Sequence, residues 1–240
     1  MARILVHVEG ETEETFVNEV LYGHLRLFGH SVSARLLGNA RQRSRRGGIG
    51  GWHAVCGDII RHLTSDPTCY ATMMVDYYAL PQSGQRAWPG RAEAGTLAFA
   101  AKAPKIQSAL LADMVAHMDS NFDASHFIPY VIMHEFEGLL FSDCERFASG
   151  IGKSDLAAAF QAIRDGFTTP EEINDSPITA PSKRVETLVS GYEKPLLGNL
   201  AILEIGLETI RRECPIFSQW IANLEALPKD MICFDQEQGT

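Results

Sequence analysis

Short apolar runs alternate with amphipathic runs along the first half of the chain. Four runs rich in apolar and β-branched residues predict buried strands, and they cover residues 3–8, 31–37, 70–78 and 127–133. Between these runs, apolar residues recur at helical spacing over residues 16–28, 52–63 and 102–118. This alternation predicts an α/β fold, an open and mainly parallel four-stranded sheet with helices on both faces.

Helical periodicity dominates the second half of the chain. The predicted helices cover residues 154–165, 182–191, 199–212 and 216–227. We therefore expect residues 1–150 to form the core and residues 151–240 to form a helical extension that packs on this core.

Acidic residues follow three of the four predicted strands. Glu9 comes after the first strand, Asp76 lies near the end of the third, and Glu135 and Glu137 follow the fourth. Because parallel strands present their carboxyl ends at one edge, where ligands bind, we expect these side chains to converge. Carboxylates without His or Cys suit a hard cation, Mg²⁺ or Mn²⁺, and such ions can support cleavage of phosphodiesters.

Each of these acids also has a purely structural interpretation. Glu9 could face solvent, and Glu137 could lie in the first turn of a helix rather than on the strand. Glu13 falls in the first turn of a helix that Thr12 can cap, where the helix dipole favours acids. Asp76 is the strongest candidate, because an unpaired carboxylate at the end of a buried strand is costly.

A run of arginines and glycines interrupts the pattern between the second strand and the next helix. Residues 38–51 contain no acid, and their low apolar content predicts a loop. The arginines could lie along a phosphate backbone and provide affinity without base specificity. A solvated run of charge is the alternative. The candidate nucleic-acid-binding residues are Arg41, Arg43, Arg45 and Arg46.

Residues 81–95 are rich in Gly and Pro and predict a second long loop. Such a loop could close over a small-molecule pocket, which keeps a phosphohydrolase as a further possibility. Trp52 and Trp88 flank the two loops and could stack on bases, although packing onto the core is the commoner fate of tryptophan.

Charge and composition narrow the class of protein. The net charge of −9 excludes a uniformly basic surface, so phosphate contacts need a local patch or a bound cation. Apolar runs are too short for a membrane span, so we expect no membrane association. The five cysteines form no C-x-x-C pair, which argues against a zinc knuckle and predicts reduced thiols in a cytoplasmic protein.

Several motifs resemble one known family. Residues 8–17, VEGETEETFV, resemble the first motif of TOPRIM domains, in the form found in OLD-type nucleases and their small stand-alone relatives. Residues 74–78, MVDYY, match the Asp-x-Asp strand end of that family, with Tyr78 at the position of the second acid. Residues 134–141, HEFEGLLF, and 181–184, PSKR, resemble later motifs of small TOPRIM-like proteins that are often encoded beside an ABC-type ATPase in bacterial defence islands.

The resemblance implies a TOPRIM-like, Mg²⁺-dependent nuclease that works with an ATPase in defence or as a toxin. It implies that Glu9 is a metal ligand or general base, that Glu13 is a second metal-linked acid and that Asp76 is a metal ligand. Glu135 or Glu137 would complete the metal site.

The resemblance also implies that Lys183 steadies the charge that develops on phosphate. Tyr78 departs from the motif, and this departure supports an alternative in which the protein is not an enzyme. In that alternative the protein is a non-catalytic subunit with a decayed site, and it binds nucleic acid or the ATPase.

Overall fold

The sheet has parallel strands throughout. The computed structural model describes residues 2–37, 49–173, 176 and 178–228. The strands of the sheet are β1 (Arg3–Val8), β2 (Ser31–Leu36), β3 (Cys69–Asp76), β4 (Phe127–Ile128) and β5 (Val131–Ile132). Their spatial order is β2-β1-β3-β4, and β5 also pairs with β3 in parallel register. The predicted α/β fold with a mainly parallel sheet is therefore confirmed.

The fourth predicted strand is interrupted in its middle. Residues 129 and 130 separate β4, which pairs with the first half of β3, from β5, which pairs with its end. Pro129 has no backbone N–H to give to a ladder, so a break is expected there. The ring of Tyr130 is buried and stacks on Trp220 at 4.4 Å between centroids.

Helices cover both faces of the sheet. On one face, the helices α3 (Trp52–Ser65), α4 (Arg91–Ala94) and α5 (Phe99–Ala116) enclose a core that includes Met73 and Val75 of β3. On the other face, Ile4, Val6 and Val8 of β1 belong to a second core. Alternation of side chains along each strand supplies both cores from one sheet.

The chain after β1 forms one continuous helical segment with a π-helical centre. Its parts are α1 (Glu11–Phe16), the π-helical turn Val17–Leu21 and α2 (Tyr22–Leu27). The predicted cap, Thr12, is wrong: the capping residue is Gly10, and Thr12 is buried inside the first turn. The carboxylate of Glu13 accepts a hydrogen bond from the Gly10 N–H at 3.0 Å. This places Glu13 beside the end of β1.

The second half of the chain is helical, as predicted. Its helices are α6 (Cys144–Gly150), α7 (Ala157–Arg164), α8 (Pro181–Leu188), α9 (Asn199–Ile205), α10 (Leu207–Glu213) and α11 (Pro215–Glu225). The predicted helix over residues 199–212 is divided at Gly206, whose φ of 82° lies in the left-handed region. These helices share the second hydrophobic core with β1. The division into 1–150 and 151–240 stays a prediction.

Within the described ranges, every helix is too short or too polar to cross a membrane.

The predicted loop over residues 81–95 contains a 3₁₀ turn (Gly84–Arg86) and ends in α4, and the segment is packed against α3 and α5. Trp88 is 2% exposed, and its indole N–H donates to the carbonyl of Gly50. The rings of Trp88 and Trp52 lie 5.1 Å apart, so both tryptophans contribute to the core rather than to a stacking surface.

Gly90 provides a test of this packing. Its φ is +75°, and an added Cβ would lie 2.9 Å from both the Lys105 carbonyl and the Ala109 side chain. Gly84 has a similar φ of +72° but open space around it. We expect Gly84→Ala to lower the free energy of unfolding by about 1 kcal/mol, through backbone strain alone. Gly90→Ala should cost at least about 1 kcal/mol more, because α5 must shift.

Urea unfolding of the two variants beside the native protein measures this difference. An equal decrease in the free energy of unfolding for the two variants would show that Gly90 is not tightly packed against α5.

Candidate functional site

The carboxyl ends of β1 and β3 bring acidic side chains together. Val8 pairs with Met74, so Glu9 and Asp76 follow at the same edge of the sheet. Glu13, on the first turn of α1, lies close enough to raise the pKa of both Glu9 and Asp76. Glu137 has the same effect on Asp76. The acids that were predicted to converge are therefore neighbours across more than a hundred residues of sequence.

Asp76 lies at the centre of this group. Its Oδ1 atom accepts a hydrogen bond from the Phe136 backbone N–H at 3.0 Å. Its Oδ2 atom lies 3.4 Å from the ammonium nitrogen of Lys194. The carboxylate is nearly fully buried, so the end of β3, the segment after β5 and Lys194 are tied together through this one side chain.

Glu135 and Glu137 lie beyond the strand rather than on it. The 3₁₀ helix Phe136–Ser142 follows β5, with Glu135 as its cap and Glu137 in its first turn. Of the two interpretations of Glu137, the first-turn position is the one that the structure shows. Glu137 is nevertheless fully buried, and its Oε2 atom lies 3.0 Å from Lys194 Nζ. Glu135 accepts a hydrogen bond from the backbone N–H of Ser182 at the start of α8.

Lys194 is the member of the site that sequence analysis missed. It begins the π-helical turn Lys194–Gly198, which leads into α9, and its side chain is 35% exposed. In the sequence it is a single lysine before a proline, with no motif around it. Only the need to balance several buried carboxylates could have indicated that a distant cation must approach them.

Burial and Lys194 have opposite effects on the pKa of the acids. Burial, with the nearby Glu13 carboxylate, raises the pKa of Glu9 to about 7, against the opposing effect of Lys194. Burial also raises the pKa of Asp76 and of Glu137. Burial disfavours the charge on Lys194 as well, but the carboxylates of Asp76 and Glu137 outweigh it and raise the pKa of its ammonium. The lysine is therefore held charged.

The donor set of the cluster fits a hard divalent cation. All of its acidic ligands are oxygens, which suit Mg²⁺ or Mn²⁺. Glu9 Oε2 and Glu137 Oε1 are buried and have no hydrogen-bond partner among the described residues. Lys194 lies between Asp76 and Glu137, and no three acids of the cluster each place a carboxylate oxygen within 4.8 Å of the other two. Binding of a cation therefore requires the carboxylates to close in as Lys194 withdraws.

Other predicted residues lie outside this cluster. Lys183 is exposed on α8 and pairs with Glu186 at 2.6 Å, so its ammonium contacts its own helix rather than the acids. The half-buried ring of Tyr78 stacks on His134 with 5.4 Å between centroids. Residues Arg41, Arg43, Arg45 and Arg46 lie outside the described residues.

The two lysines allow a matched test of charge balance. Lys194→Met leaves Asp76 and Glu137 without their cation, and we expect it to lower the free energy of unfolding at neutral pH by about 1–3 kcal/mol, since Lys194 is partly exposed. Lys183→Met removes only a surface pair and should leave the free energy of unfolding nearly unchanged. Urea unfolding at neutral pH compares them. If both variants lowered the free energy of unfolding by the same small amount, the stability of the cluster would not depend on Lys194.

Comparison with solved structures finds distant similarities over nearly the whole chain. The C-terminal region of the Burkholderia pseudomallei OLD protein is 13% identical, with a TM-score of 0.45, over 94% of this chain and 100% of that one. The C-terminal region of the Xanthomonas campestris pv. campestris OLD protein, phased with iodine, is 13% identical, with a TM-score of 0.41, over 94% and 95%. Similarity at this level assigns no activity to the chain.

Comparison with curated proteins gives no match. Comparison with protein families gives a match over residues 8–225 to the family described as "Domain of unknown function (DUF4276)". Since this match spans most of the chain, the protein belongs to the DUF4276 family.

Proposed function

We propose that this protein is a Mg²⁺- or Mn²⁺-dependent, TOPRIM-like nuclease that cleaves phosphodiester bonds of nucleic acid. The observation that carries the proposal is the gathering of Glu9, Glu13, Asp76 and Glu137 around one lysine at the carboxyl edge of the sheet. Ligands of parallel sheets bind at this edge. Buried acids beyond what one ammonium can neutralise are expected where a cation binds.

The residues of the cluster would have distinct roles. Glu9, Asp76 and Glu137 would hold the divalent ion, with Glu13 and Glu135 beside them. A bound Mg²⁺ or Mn²⁺ would supply a Lewis acid that polarises phosphate oxygens and lowers the pKa of bound water.

The protein itself would orient the ligands and supply positive charge. The Phe136 backbone N–H fixes the carboxylate of Asp76, and the Gly10 N–H fixes that of Glu13. Lys194 is the cation nearest to the acids among the described residues, and in the bound state its ammonium can contact phosphate oxygens instead of Glu137. The resemblance assigns the phosphate contact to Lys183, which lies in the first turn of α8. From that position, outside the acidic cluster, Lys183 would stabilise negative charge on phosphate.

The wider role follows from the resemblance of the motifs. We propose that the nuclease acts with an ATPase partner in bacterial defence or in a toxin-like system. The arginine-rich segment would hold the nucleic-acid backbone, which would allow a protein with a net charge of −9 to bind a polyanion.

A second candidate function has its own support. Lys194 already satisfies part of the charge of Asp76 and Glu137, and Tyr78 replaces the second acid of the motif. These two features fit a non-catalytic subunit whose site has decayed and which binds nucleic acid or the ATPase.

Substitutions of the acids test the leading proposal. Asp76→Asn keeps an acceptor for the Phe136 N–H but removes the charge, and Glu9→Gln keeps the shape of its side chain. We expect each to lower the rate of cleavage at least about 100-fold, because each removes an ion ligand worth several kcal/mol in the transition state. Glu11→Gln, an exposed acid on α1, should have no effect.

The measurement is cleavage of single- and double-stranded DNA and RNA with Mg²⁺, with Mn²⁺ or with a chelator. Metal-dependent activity that survives in both acid variants would overturn the proposal. Calorimetry separates the second candidate: a native protein that binds neither ion at millimolar concentration but still binds nucleic acid is the non-catalytic subunit.

The arginine-rich segment is tested by salt dependence. Replacement of Arg41, Arg43, Arg45 and Arg46 by Gln should weaken binding to DNA or RNA of every sequence. The slope of log affinity against log salt should become shallower by about 0.9 for each lost contact with duplex phosphate. Arg61→Gln, an exposed arginine on α3, is the control. An unchanged slope would show that these arginines do not contact phosphates.

A further inference from the structure

A second group of metal-ligating side chains lies away from the acidic cluster. Cys56 is on α3, Asp113 is in the last turn of α5, and His117 follows that helix directly. One potential ligand atom from each of these residues lies within 4.8 Å of the other two. Within the described ranges of the chain, no other trio of such residues comes so close.

Neighbouring groups hold the carboxylate and the imidazole in place. The buried indole of Trp52 donates its N–H to Asp113 Oδ2 at 2.5 Å. The Nδ1 atom of His117 lies 2.8 Å from the backbone carbonyl oxygen of Asp113 and 3.5 Å from Oδ2. The contacts of Asp113 with the Trp52 N–H and of His117 with the backbone carbonyl are of the kind that orient metal ligands in proteins.

The exposure of the three side chains is graded from the core to solvent. Cys56 is 4% exposed, whereas the side chains of Asp113 and His117 are 33% and 51% exposed. The thioether of Met114 lies 4.0 Å from the thiol of Cys56, so the inner end of the group is lined with sulfur. The side of the group that carries His117 therefore faces solvent, and the thiol lies at its inner end.

We propose that Cys56, Asp113 and His117 bind a zinc ion between α3 and α5, with a fourth position open to water. Sulfur, imidazole nitrogen and carboxylate oxygen together are a ligand set of zinc, whereas Mg²⁺ prefers oxygen alone. Three protein ligands with one open position are a known arrangement for zinc. The site is independent of the acidic cluster and of the nuclease proposal.

Binding at this site replaces a proton by the ion. Cysteine binds zinc as its thiolate rather than as the thiol. The thiolate forms as the ion binds, and the displaced proton passes to solvent. The ion would also join α3 to α5, and it should therefore raise the thermal midpoint of unfolding.

Cobalt provides a direct probe, because a thiolate bound to Co²⁺ gives a charge-transfer absorption that oxygen ligands do not give. The full chain is first treated with a chelator and then titrated with Co²⁺. We expect the band to appear at one equivalent and to disappear when Zn²⁺ is added. We also expect the thermal midpoint to rise with Zn²⁺.

Matched variants identify the ligands. Cys56→Ala should abolish the band, and His117→Ala should weaken Co²⁺ binding at least tenfold. Cys69→Ala, a buried cysteine of β3, and His53→Ala, an exposed histidine of α3, should change neither. His117 is exposed, so its variant keeps the test valid even if Cys56→Ala fails to fold.

Absence of the band in the native protein, or its survival in Cys56→Ala, would overturn the proposal. Asp76→Asn separates this site from the acidic cluster, because it should leave the Co²⁺ band unchanged whatever it does to cleavage.

Discussion

The attraction between Lys194 and the buried carboxylates at the edge of the sheet is the interaction on which the rest of the site depends. The strands bring Asp76 and Glu9 to one edge, and nothing in a parallel sheet neutralises them. Lys194 reaches Asp76 across 118 residues of sequence. The C-terminal helices are therefore part of the site, since they carry its cation.

Packing around Lys194 supports this role. A Cβ atom placed on Gly198, at the end of the π-helical turn, would lie 3.1 Å from the hydroxyl oxygen of Tyr192 and 3.8 Å from Thr12. The turn that begins with Lys194 thus lies directly against α1, which carries Glu13. These neighbours are side-chain atoms, and an added Cβ would be tighter than ordinary contact only against the Tyr192 hydroxyl. The cation is positioned by the shape of the fold as well as by charge.

Much of the fold and part of the site could be predicted from the sequence, and the differences have physical causes. Hydrophobic periodicity located β1 without error and β3 to within two residues, because most residues of β1 and all residues of β3 are buried. The meeting of Glu9 with Asp76 follows from topology alone. Lys194 could not be predicted in this way, since charge balance acts between residues that only the tertiary fold brings together. Pro129 divided the fourth strand because local chemistry overrode the hydrophobic pattern.

Lys194 alone does not account for the charge of the cluster. One ammonium faces Asp76 and Glu137, while Glu9 Oε2 and Glu137 Oε1 remain buried without a hydrogen-bond partner among the described residues. A buried acceptor left in this state costs about 1–3 kcal/mol. Two species can relieve that cost: a proton, which the raised pKa of Glu9, about 7, allows near neutrality, or a divalent cation.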